Sequence, residues 1–404
     1  MVGWSGRRLM LTVLAFIAPT LIGIAVFSLY PLLLNVFVSF TNRGQYHPNP
    51  DCTATVWKVM DPACWLGKPP TGVATPYGFQ DPATKNYGDL LGGFFTKDAL
   101  IAILFILIAL LPLIIAWRVN RYLDRKVIRP ISPGPVWLIG LVGTLALGFL
   151  VNVPDQYQML LDSGDFIMVN LRTILYVLIC MPILFVLGLT MALILNNKFL
   201  RGVTFFRVAL IIPWAASTVA IMMTLIWQFF FREQGTINQI LKALFGDVQG
   251  PAYLNKTGWA WFIVVLVQVW YTYPFFMVTL LGGLQGISLD LYEAADVDGA
   301  SWWKQLINIT LPLLRPVALP IIVLSSLTTY KIDAIIWALT KGGPTAGAGK
   351  PGATEFVMVH AYKQIFQTKA YGRMGAFAVI LFIFLFAATL YSLRITRITK
   401  GAYE

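Results

Sequence analysis

The chain has 404 residues, of which 58% are hydrophobic and 12% are charged, whereas a soluble domain is about 25% charged. This composition excludes an ordinary soluble globular protein and indicates a polytopic membrane protein. The formal net charge is +12, but the basic residues flank apolar runs and form no single stripe with interleaved aromatic residues. A nucleic-acid-binding protein is therefore not favoured.

Apolar runs that are long enough to cross a membrane recur along the whole chain. A helix of about 20 apolar residues crosses roughly 30 Å of hydrocarbon. By this rule the sequence predicts eight spans, at 9–40, 100–117, 136–153, 171–195, 205–231, 259–284, 316–339 and 375–393. The first run is longer than a signal-peptide core and lacks a small-residue cleavage site, so we expect it to remain in the membrane. The predicted fold class is all-α and polytopic.

Basic residues concentrate in alternate connections between the predicted spans. They are Arg7, Arg8, Arg118, Arg121, Arg125, Lys126, Arg129, Lys198, Arg201, Arg207, Arg394, Arg397 and Lys400. The positive-inside rule places all of these connections in the cytoplasm. Eight spans then put both termini inside, and we expect a multi-pass protein of a bacterial inner membrane.

The segment 41–98 is predicted to be a loop outside the cytoplasm. It is rich in Pro, Gly and Asn and contains Cys52 and Cys64. In an oxidising exterior these two thiols can form a disulfide, which would stabilise the loop by about 2–3 kcal/mol; two free thiols are the alternative. Cys180 lies inside a span and is expected to act as a small buried apolar residue.

The connection 290–312 between the sixth and seventh predicted spans has the most specific pattern in the chain. From Glu293 to Pro312 it reads EAADVDGASWWKQLINITLP, that is E-A-A, three residues, Gly, nine residues and I-x-L-P. Asp290 is predicted to N-cap a short helix, and Gly299 to supply a turn with positive φ. Ser301 is then predicted to cap a second helix. Pro312 fits the first turn of the following span.

This pattern resembles the cytoplasmic EAA loop of binding-protein-dependent ABC import permeases. Three other segments resemble the sugar-importing branch of that family, namely NLRTILYVLICMPILFVLGLTMALILNN, FFRVALIIPWAAS and LTKGGP. The resemblance covers 170–404 and implies the type I ABC importer transmembrane fold. Eight spans are similar to the larger membrane subunit of the maltose-type importer. In this chain, however, the exterior segment at 154–169 is short, so the docking of a binding protein is not carried over.

The resemblance also implies a domain organisation. Residues 1–40 would form the N-terminal end and first span, 41–98 the exterior loop, 99–153 the second and third spans, and 170–404 the permease core with five spans.

The resemblance further implies a subunit without catalytic residues of its own. ATP and Mg²⁺ would be bound by two partner ATPase subunits, and the complex would include a second, different permease and an extracytoplasmic sugar-binding protein. The residues expected to couple to the ATPases are Glu293, Ala294, Ala295, Asp296, Asp298 and Gly299. Trp302 and Trp303 are either anchors of that interface or part of an aromatic belt at the membrane surface.

Polar side chains at helical spacing in the sixth and seventh predicted spans indicate a translocation site. Polar groups inside a membrane usually face a bundle interior or an aqueous cavity. The candidates for binding a sugar are Gln268, Tyr271, Thr272, Ser326, Tyr330 and Asp333. In the maltose-type subunit, sugar contacts come from the matching spans. The alternative is that these groups form interhelical hydrogen bonds that hold the bundle together.

Two other classes of membrane protein fit the sequence less well. An ion-coupled secondary transporter usually has repeated halves and buried carboxylates, whereas here Asp333 is the one acidic residue predicted inside a span. A membrane enzyme would need a catalytic cluster, but His47 and His360 are both predicted outside the spans, and no metal-ligand spacing is present. No metal site and no catalytic residue are therefore predicted.

Overall fold

The computed structural model describes residues 6–45, 47, 77–123, 133–197, 200–215, 220–246, 250–345, 347 and 350–396. Within these ranges the regular structure is helical, and the β-structure is an isolated antiparallel bridge between Thr41 and Phe79. The helices are α1 (Gly6–Ile24), α2 (Tyr30–Ser39), α3 (Lys85–Leu91), α4 (Lys97–Leu123), α5 (Pro133–Leu150), α6 (Val153–Asp162), α7 (Asp165–Leu195), α8 (Val203–Ala215), α9 (Ala220–Phe231), α10 (Thr236–Phe245), α11 (Thr257–Gln285), α12 (Asp290–Val297), α13 (Trp302–Gln305), α14 (Leu311–Tyr330), α15 (Ala334–Thr340), α16 (Val357–Phe366) and α17 (Tyr371–Thr396).

Seven helical stretches among the described residues are long and apolar enough to cross a membrane. They are Met10–Ser39, Lys97–Leu123, Pro133–Leu150, Asp165–Leu195, Thr257–Gln285, Trp302–Tyr330 and Tyr371–Ser392. The prediction of an all-α polytopic membrane protein is thereby confirmed. The fifth predicted span, 205–231, corresponds to the shorter helices α8 and α9, and residues 216–219 between them lie outside the described ranges.

The predicted seventh span, 316–339, is wrong at both ends. The helical stretch begins at Trp302, passes through a π-helical turn at Leu306–Thr310, and ends at Tyr330. Pro312 lies in the first turn of α14, as predicted. The π-helical turn comes directly before it, and such turns occur where the regular hydrogen bonds of a helix are interrupted. Residues 325–333 read SSLTTYKID, so polar and charged side chains accompany the break after Tyr330, and the predicted span ran through them.

Asp333 was predicted to lie inside the seventh span, and this is also wrong. The residue is the N-cap of α15, and its Oδ1 accepts a hydrogen bond of 2.8 Å from the amide of Ala334. A short carboxylate is a favoured N-cap because it binds an amide that has no helical partner. The physical role of Asp333 is therefore to begin a new helix.

The chain divides into two compact units, 1–93 with 361–384 and 94–360 with 385–404. In the second unit, α7, α11 and α14 surround a core whose largest buried side chains include Tyr176, Phe276 and Leu314. Small residues allow these helices to approach closely. A Cβ built on Gly188 of α7 would lie 2.5 Å from the Cβ of Phe276 in α11.

In the first unit, a polar scaffold joins the end of α2 to α3 and to the start of α17. Asn86 Nδ2 donates to the carbonyl oxygens of Ser39 and Thr41, at 2.8 and 2.9 Å. The amide of Gly372 donates to the carbonyl oxygen of Arg43 at 2.8 Å. Segments that are distant in sequence are thus fixed to one another through their backbones.

Candidate functional site

The segment 290–312, here called the elbow, is a helix, a tight turn and a second helix, as the sequence predicts. Helix α12 ends at Val297 with Asp298 as its C-cap, and Gly299, which follows, has a φ of +70°. The amide of Gly299 donates to the carbonyl of Asp296 at 3.0 Å, and the amide of Ala300 donates to the carbonyl of Ala295 at 2.9 Å. This pair of bonds is a Schellman motif, which requires a left-handed residue at the position of Gly299. The predicted positive φ is confirmed.

The predicted caps of the elbow are partly wrong. Asp290 is the first residue of α12 and Leu289 is the N-cap. Ser288 instead accepts from the amide of Asp290, at 3.3 Å. Ser301 is the N-cap of α13 with extended backbone, as predicted, but its side chain makes no capping hydrogen bond. A shift of one residue at a helix start is within the spread of cap assignments.

Side-chain bonds tie the two arms of the elbow together. Gln305 Nε2 donates to Asp296 Oδ1 at 2.5 Å and to the carbonyl of Ala300 at 3.2 Å. The hydroxyl groups of Tyr292 and Thr310 are 2.9 Å apart, and Thr310 is buried. These bonds hold the turn in one conformation and connect it to the base of α14. A force on the turn can therefore be transmitted to that helix.

Most of the residues predicted to contact an ATPase partner are exposed. Glu293, Ala294, Asp296, Asp298 and Gly299 are exposed, and Ala295 is half-buried.

Apolar side chains are exposed on the same elbow. Val297 has an exposed fraction of 89%, and the rings of Trp302 and Trp303, which pack edge to face at 4.6 Å, are also exposed. Large exposed apolar groups side by side are typical of a protein interface or of a membrane surface.

A cavity of about 260 Å³ lies between α11 and α14 in the second unit. Its polar lining comes from hydroxyl and amide groups, and the rings of Trp214 and Phe275 form a further wall, with centroids 5.8 Å apart and planes inclined by 31°. The lining residues are Trp214, Gln268, Tyr271, Thr272, Phe275, Leu324, Ser325, Thr328, Thr329 and Ile332.

Gln268 is the most distinctive polar residue of this cavity. It is buried, and its Nε2 donates to Thr272 Oγ1 at 3.0 Å and to Thr329 Oγ1 at 3.4 Å. Its Oε1 is buried without a hydrogen-bond partner among the described residues. A buried acceptor left unsatisfied costs about 1–3 kcal/mol, so a ligand hydroxyl that donated to this oxygen would relieve that cost.

The structure brings Gln268, Tyr271 and Thr272 together as predicted, but it does not bring the three predicted residues of the seventh span to the cavity. Ser326 Oγ donates to the carbonyl of Ile322 at 2.7 Å, and the Tyr330 hydroxyl donates to Asn170 Oδ1 of α7. Asp333 caps α15, as described above.

Sequence reasoning missed three other hydroxyl residues of α14 that line the cavity, Ser325, Thr328 and Thr329. Their spacing of i, i+3 and i+4 marks one helix face, and this signal was available in the sequence. The run SSLTTY places hydroxyl groups on several faces of the helix, so its pattern alone does not identify which face is inside. Trp214 was also missed, because it belongs to a different predicted span.

Two further predictions have different outcomes. Cys52 and Cys64 lie outside the described residues, so their pairing stays a prediction. Cys180 is fully buried in α7, as expected.

The described residues contain no group of three or more His, Cys, Asp or Glu side chains that could hold a metal ion. Glu355 and His360 are buried beyond the end of α15, and Glu355 Oε1 lies 2.7 Å from His360 Nδ1.

Comparison with known proteins gives a family match and several relatives. Residues 184–398 match the family described as the inner membrane component of binding-protein-dependent transport systems. The trehalose/maltose transport system permease protein MalF of Thermococcus litoralis is 33% identical over 246 residues, which cover 61% of this chain and 79% of that protein. The galactooligosaccharides transport system permease protein GanP of Bacillus subtilis is 31% identical over 229 residues.

Coverage of the relatives is uneven. The maltose/maltodextrin transport system permease protein MalF of Vibrio vulnificus is 29% identical over 269 residues, and the chain spans 51% of its length. The chain spans 54% of the Bacillus protein. Among solved structures, a bacterial alginate ABC transporter, in complex with an alginate-bound periplasmic protein, matches 66% of this chain at 18% identity with a TM-score of 0.49.

Proposed function

Because the chain belongs to the family of inner membrane components of binding-protein-dependent transport systems, we propose that it is the permease subunit of an ATP-driven importer that carries a sugar. The substrate class is a disaccharide, an oligosaccharide or a related glycoside. The relatives whose names include trehalose, maltose, galactooligosaccharides and sulfoquinovosyl glycerol support this class. Their differing names give no reason to choose one sugar.

The observation that carries the proposal is the cavity around Gln268. A sugar needs hydrogen-bond donors and acceptors for its hydroxyl groups, and an apolar surface for the face of its ring. The unpartnered Oε1 of Gln268 supplies an acceptor, and the hydroxyls of Thr272, Ser325 and Thr328 can donate or accept. Trp214 and Phe275 supply the apolar surface. The proposed sugar site therefore keeps three predicted residues, Gln268, Tyr271 and Thr272, and adds the inner face of α14.

Coupling to ATP hydrolysis is proposed to occur at the elbow. Its exposed carboxylates, Glu293, Asp296 and Asp298, would accept charge-assisted hydrogen bonds from an ATPase subunit. The elbow joins α11 to α14, and these two helices supply most of the residues that line the cavity. A movement of the elbow would therefore shift both walls of the sugar site. This arrangement requires the elbow to be cytoplasmic, and eight spans would then place both chain termini on the same side of the membrane as the elbow.

The complete transporter is proposed to contain other chains. Two ATPase subunits would bind ATP and Mg²⁺, a second and different permease would complete the pathway, and an extracytoplasmic binding protein would deliver the sugar. The family description, which names binding-protein-dependent transport, supports the last of these partners.

The sugar site is tested by replacing Gln268 with Leu in the assembled transporter in proteoliposomes. Gln268→Leu keeps a similar side-chain volume but removes the acceptor, so we expect ATP-driven sugar uptake to fall about ten-fold, which corresponds to about 1.4 kcal/mol. The matched control is Ser326→Ala on α14, whose hydroxyl bonds to its own helix backbone. Its uptake is expected to stay within two-fold of wild type. If Gln268→Leu took up sugar as fast as wild type, the proposal of a sugar site at this cavity would be wrong.

The alternative function, ion-coupled secondary transport, has less support. A carboxylate near mid-span would be expected, and Asp333, the residue predicted for that place, caps α15 instead. Sugar uptake that required an ion gradient and proceeded without ATP would favour the alternative.

A further inference from the structure

A second polar cavity, also of about 260 Å³, lies in the first unit where α2 ends and α17 begins. Three cationic residues line it, Arg43, Lys369 and Arg373, together with side chains that include Asn42, Gln45 and Gln80. No carboxylate is present among the described lining residues. The lining therefore carries three formal positive charges and no negative one, which favours an anionic ligand.

The walls of this cationic cavity are built from close backbone contacts. A Cβ on Gly372 would lie 2.2 Å from the carbonyl oxygen of Thr41, so this position accepts only glycine without a shift of the backbone. Asn86 spans the floor through its bonds to Ser39 and Thr41. The cations are thus presented by a fixed scaffold.

The surroundings of two of the cations, Arg43 and Arg373, suit them to binding an anion. The guanidinium carbon of Arg43 lies 5.2 Å from the ring centroid of Tyr77 and 5.7 Å from that of Tyr371, and these cation–π contacts hold it between two rings. Arg373 Nε is buried and has no hydrogen-bond partner among the described residues. A donor of this kind is satisfied when a bound anion accepts from it.

The position of the cavity along the chain places it at the membrane surface. It begins at Thr41, directly after the apolar stretch Met10–Ser39. That stretch exposes large apolar side chains, including Phe16 and Phe27, which are 83% and 82% exposed. Tyr371 is partly exposed and begins the apolar stretch Tyr371–Ser392, a position at which tyrosine rings mark the interface between lipid and water. Lipid phosphate groups occupy this depth.

We propose that this cavity binds the phosphate of an anionic phospholipid headgroup, held by Arg43, Lys369 and Arg373. Arginine is suited to the task because its planar guanidinium donates two parallel hydrogen bonds to phosphate oxygens. The site would fasten the start of α17 to the end of α2 through the lipid. It is independent of the sugar site, which belongs to the second unit.

The test is a lipid titration of the purified full chain in detergent, followed by native mass spectrometry. The probes are phosphatidylglycerol and phosphatidylcholine with identical acyl chains. We expect phosphatidylglycerol to bind more tightly. Arg373→Gln should weaken phosphatidylglycerol binding about five-fold, the change expected for one cation near a charged headgroup. Phosphatidylcholine binding should change less than two-fold.

Two variants serve as controls. Arg373→Lys keeps the charge but loses the planar guanidinium, so its binding of phosphatidylglycerol is expected to lie between that of wild type and that of Arg373→Gln, which separates loss of the charge from loss of folding. Lys85→Gln removes an exposed cation of α3 in the same unit that does not line the cavity, and it should leave the preference for phosphatidylglycerol unchanged.

Several outcomes would overturn the proposal. Equal binding of the two lipids would do so, as would equal losses in Arg373→Gln and Lys85→Gln. If inorganic phosphate bound to the cavity and phosphatidylglycerol did not, the ligand would be a free anion. If Arg373→Gln weakened only the docking of an extracytoplasmic protein, the cavity would be a protein contact.

Discussion

Gly299 shows how one residue determines the shape of the elbow. Its φ of +70° lies in the left-handed region, which costs about 1–2 kcal/mol for a residue with a Cβ. A Cβ at this position would meet no atom within 4 Å. The requirement for glycine therefore comes from backbone conformation alone. The space around it is open, as expected for a surface that another protein contacts.

Gly299→Val is expected to disrupt the Schellman turn and reduce ATP-driven uptake at least ten-fold, while the chain still inserts in the membrane. The matched control is Gly286→Val at the end of α11, where φ is −82° and the nearest atom beyond the chain neighbours is 3.5 Å away. Uptake in proteoliposomes and the amount of chain in the membrane fraction are the measurements. Full uptake by Gly299→Val would show that the turn does not couple.

At the scale of helices, the contact between α7 and α11 depends on a missing side chain. A Cβ on Gly188 would lie 2.5 Å from Phe276 Cβ and 3.2 Å from the amide nitrogen of Met277. Both are part of or next to the backbone of α11, so a clash cannot be relieved by rotating a flexible side chain. The two helix axes would have to move apart, and α11 carries the lining of the proposed sugar site.

Gly188→Leu is expected to destabilise the chain by about 1–3 kcal/mol, the usual effect of overpacking a well-packed core. In a detergent-solubilised sample we expect the Tm to fall by about 1–4 °C, as measured by differential scanning fluorimetry. Gly282→Leu provides the control, since that glycine is exposed on α11 and its added Cβ meets no atom within 4 Å. An equal fall in both variants would mean that the close contact is not the cause.

At the scale of the whole molecule, the proposed function requires that energy come from other chains. The exposed elbow joins α11 to α14, which supply most of the cavity lining. A movement that a partner chain imposed on the elbow would therefore reach both helices.

The purified chain alone is expected to hydrolyse no ATP above the background of a mock purification, as measured by phosphate release. Adding the ATPase subunits should produce hydrolysis that a sugar-loaded binding protein stimulates. Hydrolysis that copurified with the isolated chain would contradict the assignment of a non-catalytic subunit.

The sequence by itself determined the membrane class, seven of the predicted spans as long helices, and the helix, turn and helix of the elbow. These features depend on local quantities: the length of an apolar run sets a span, and the spacing from Glu293 to Gly299 sets the turn. Neither requires knowledge of which distant residues are neighbours. The same local reasoning placed Gln268, Tyr271 and Thr272 on one helix face.

Only the tertiary structure decided which groups face one another. Helix α14 is rotated so that Ser325 and Thr329 face the cavity around Gln268, whereas Ser326 does not line that cavity. Successive residues of a helix point about 100° apart, and packing selects which face is inside. The break before Asp333 follows the polar run at 325–331, but the end of the helix at Tyr330 is seen only in the structure. The cationic cavity joins Arg43 to Arg373 across most of the chain. No local sequence pattern brings these two residues together, so their proximity is known only from the folded structure.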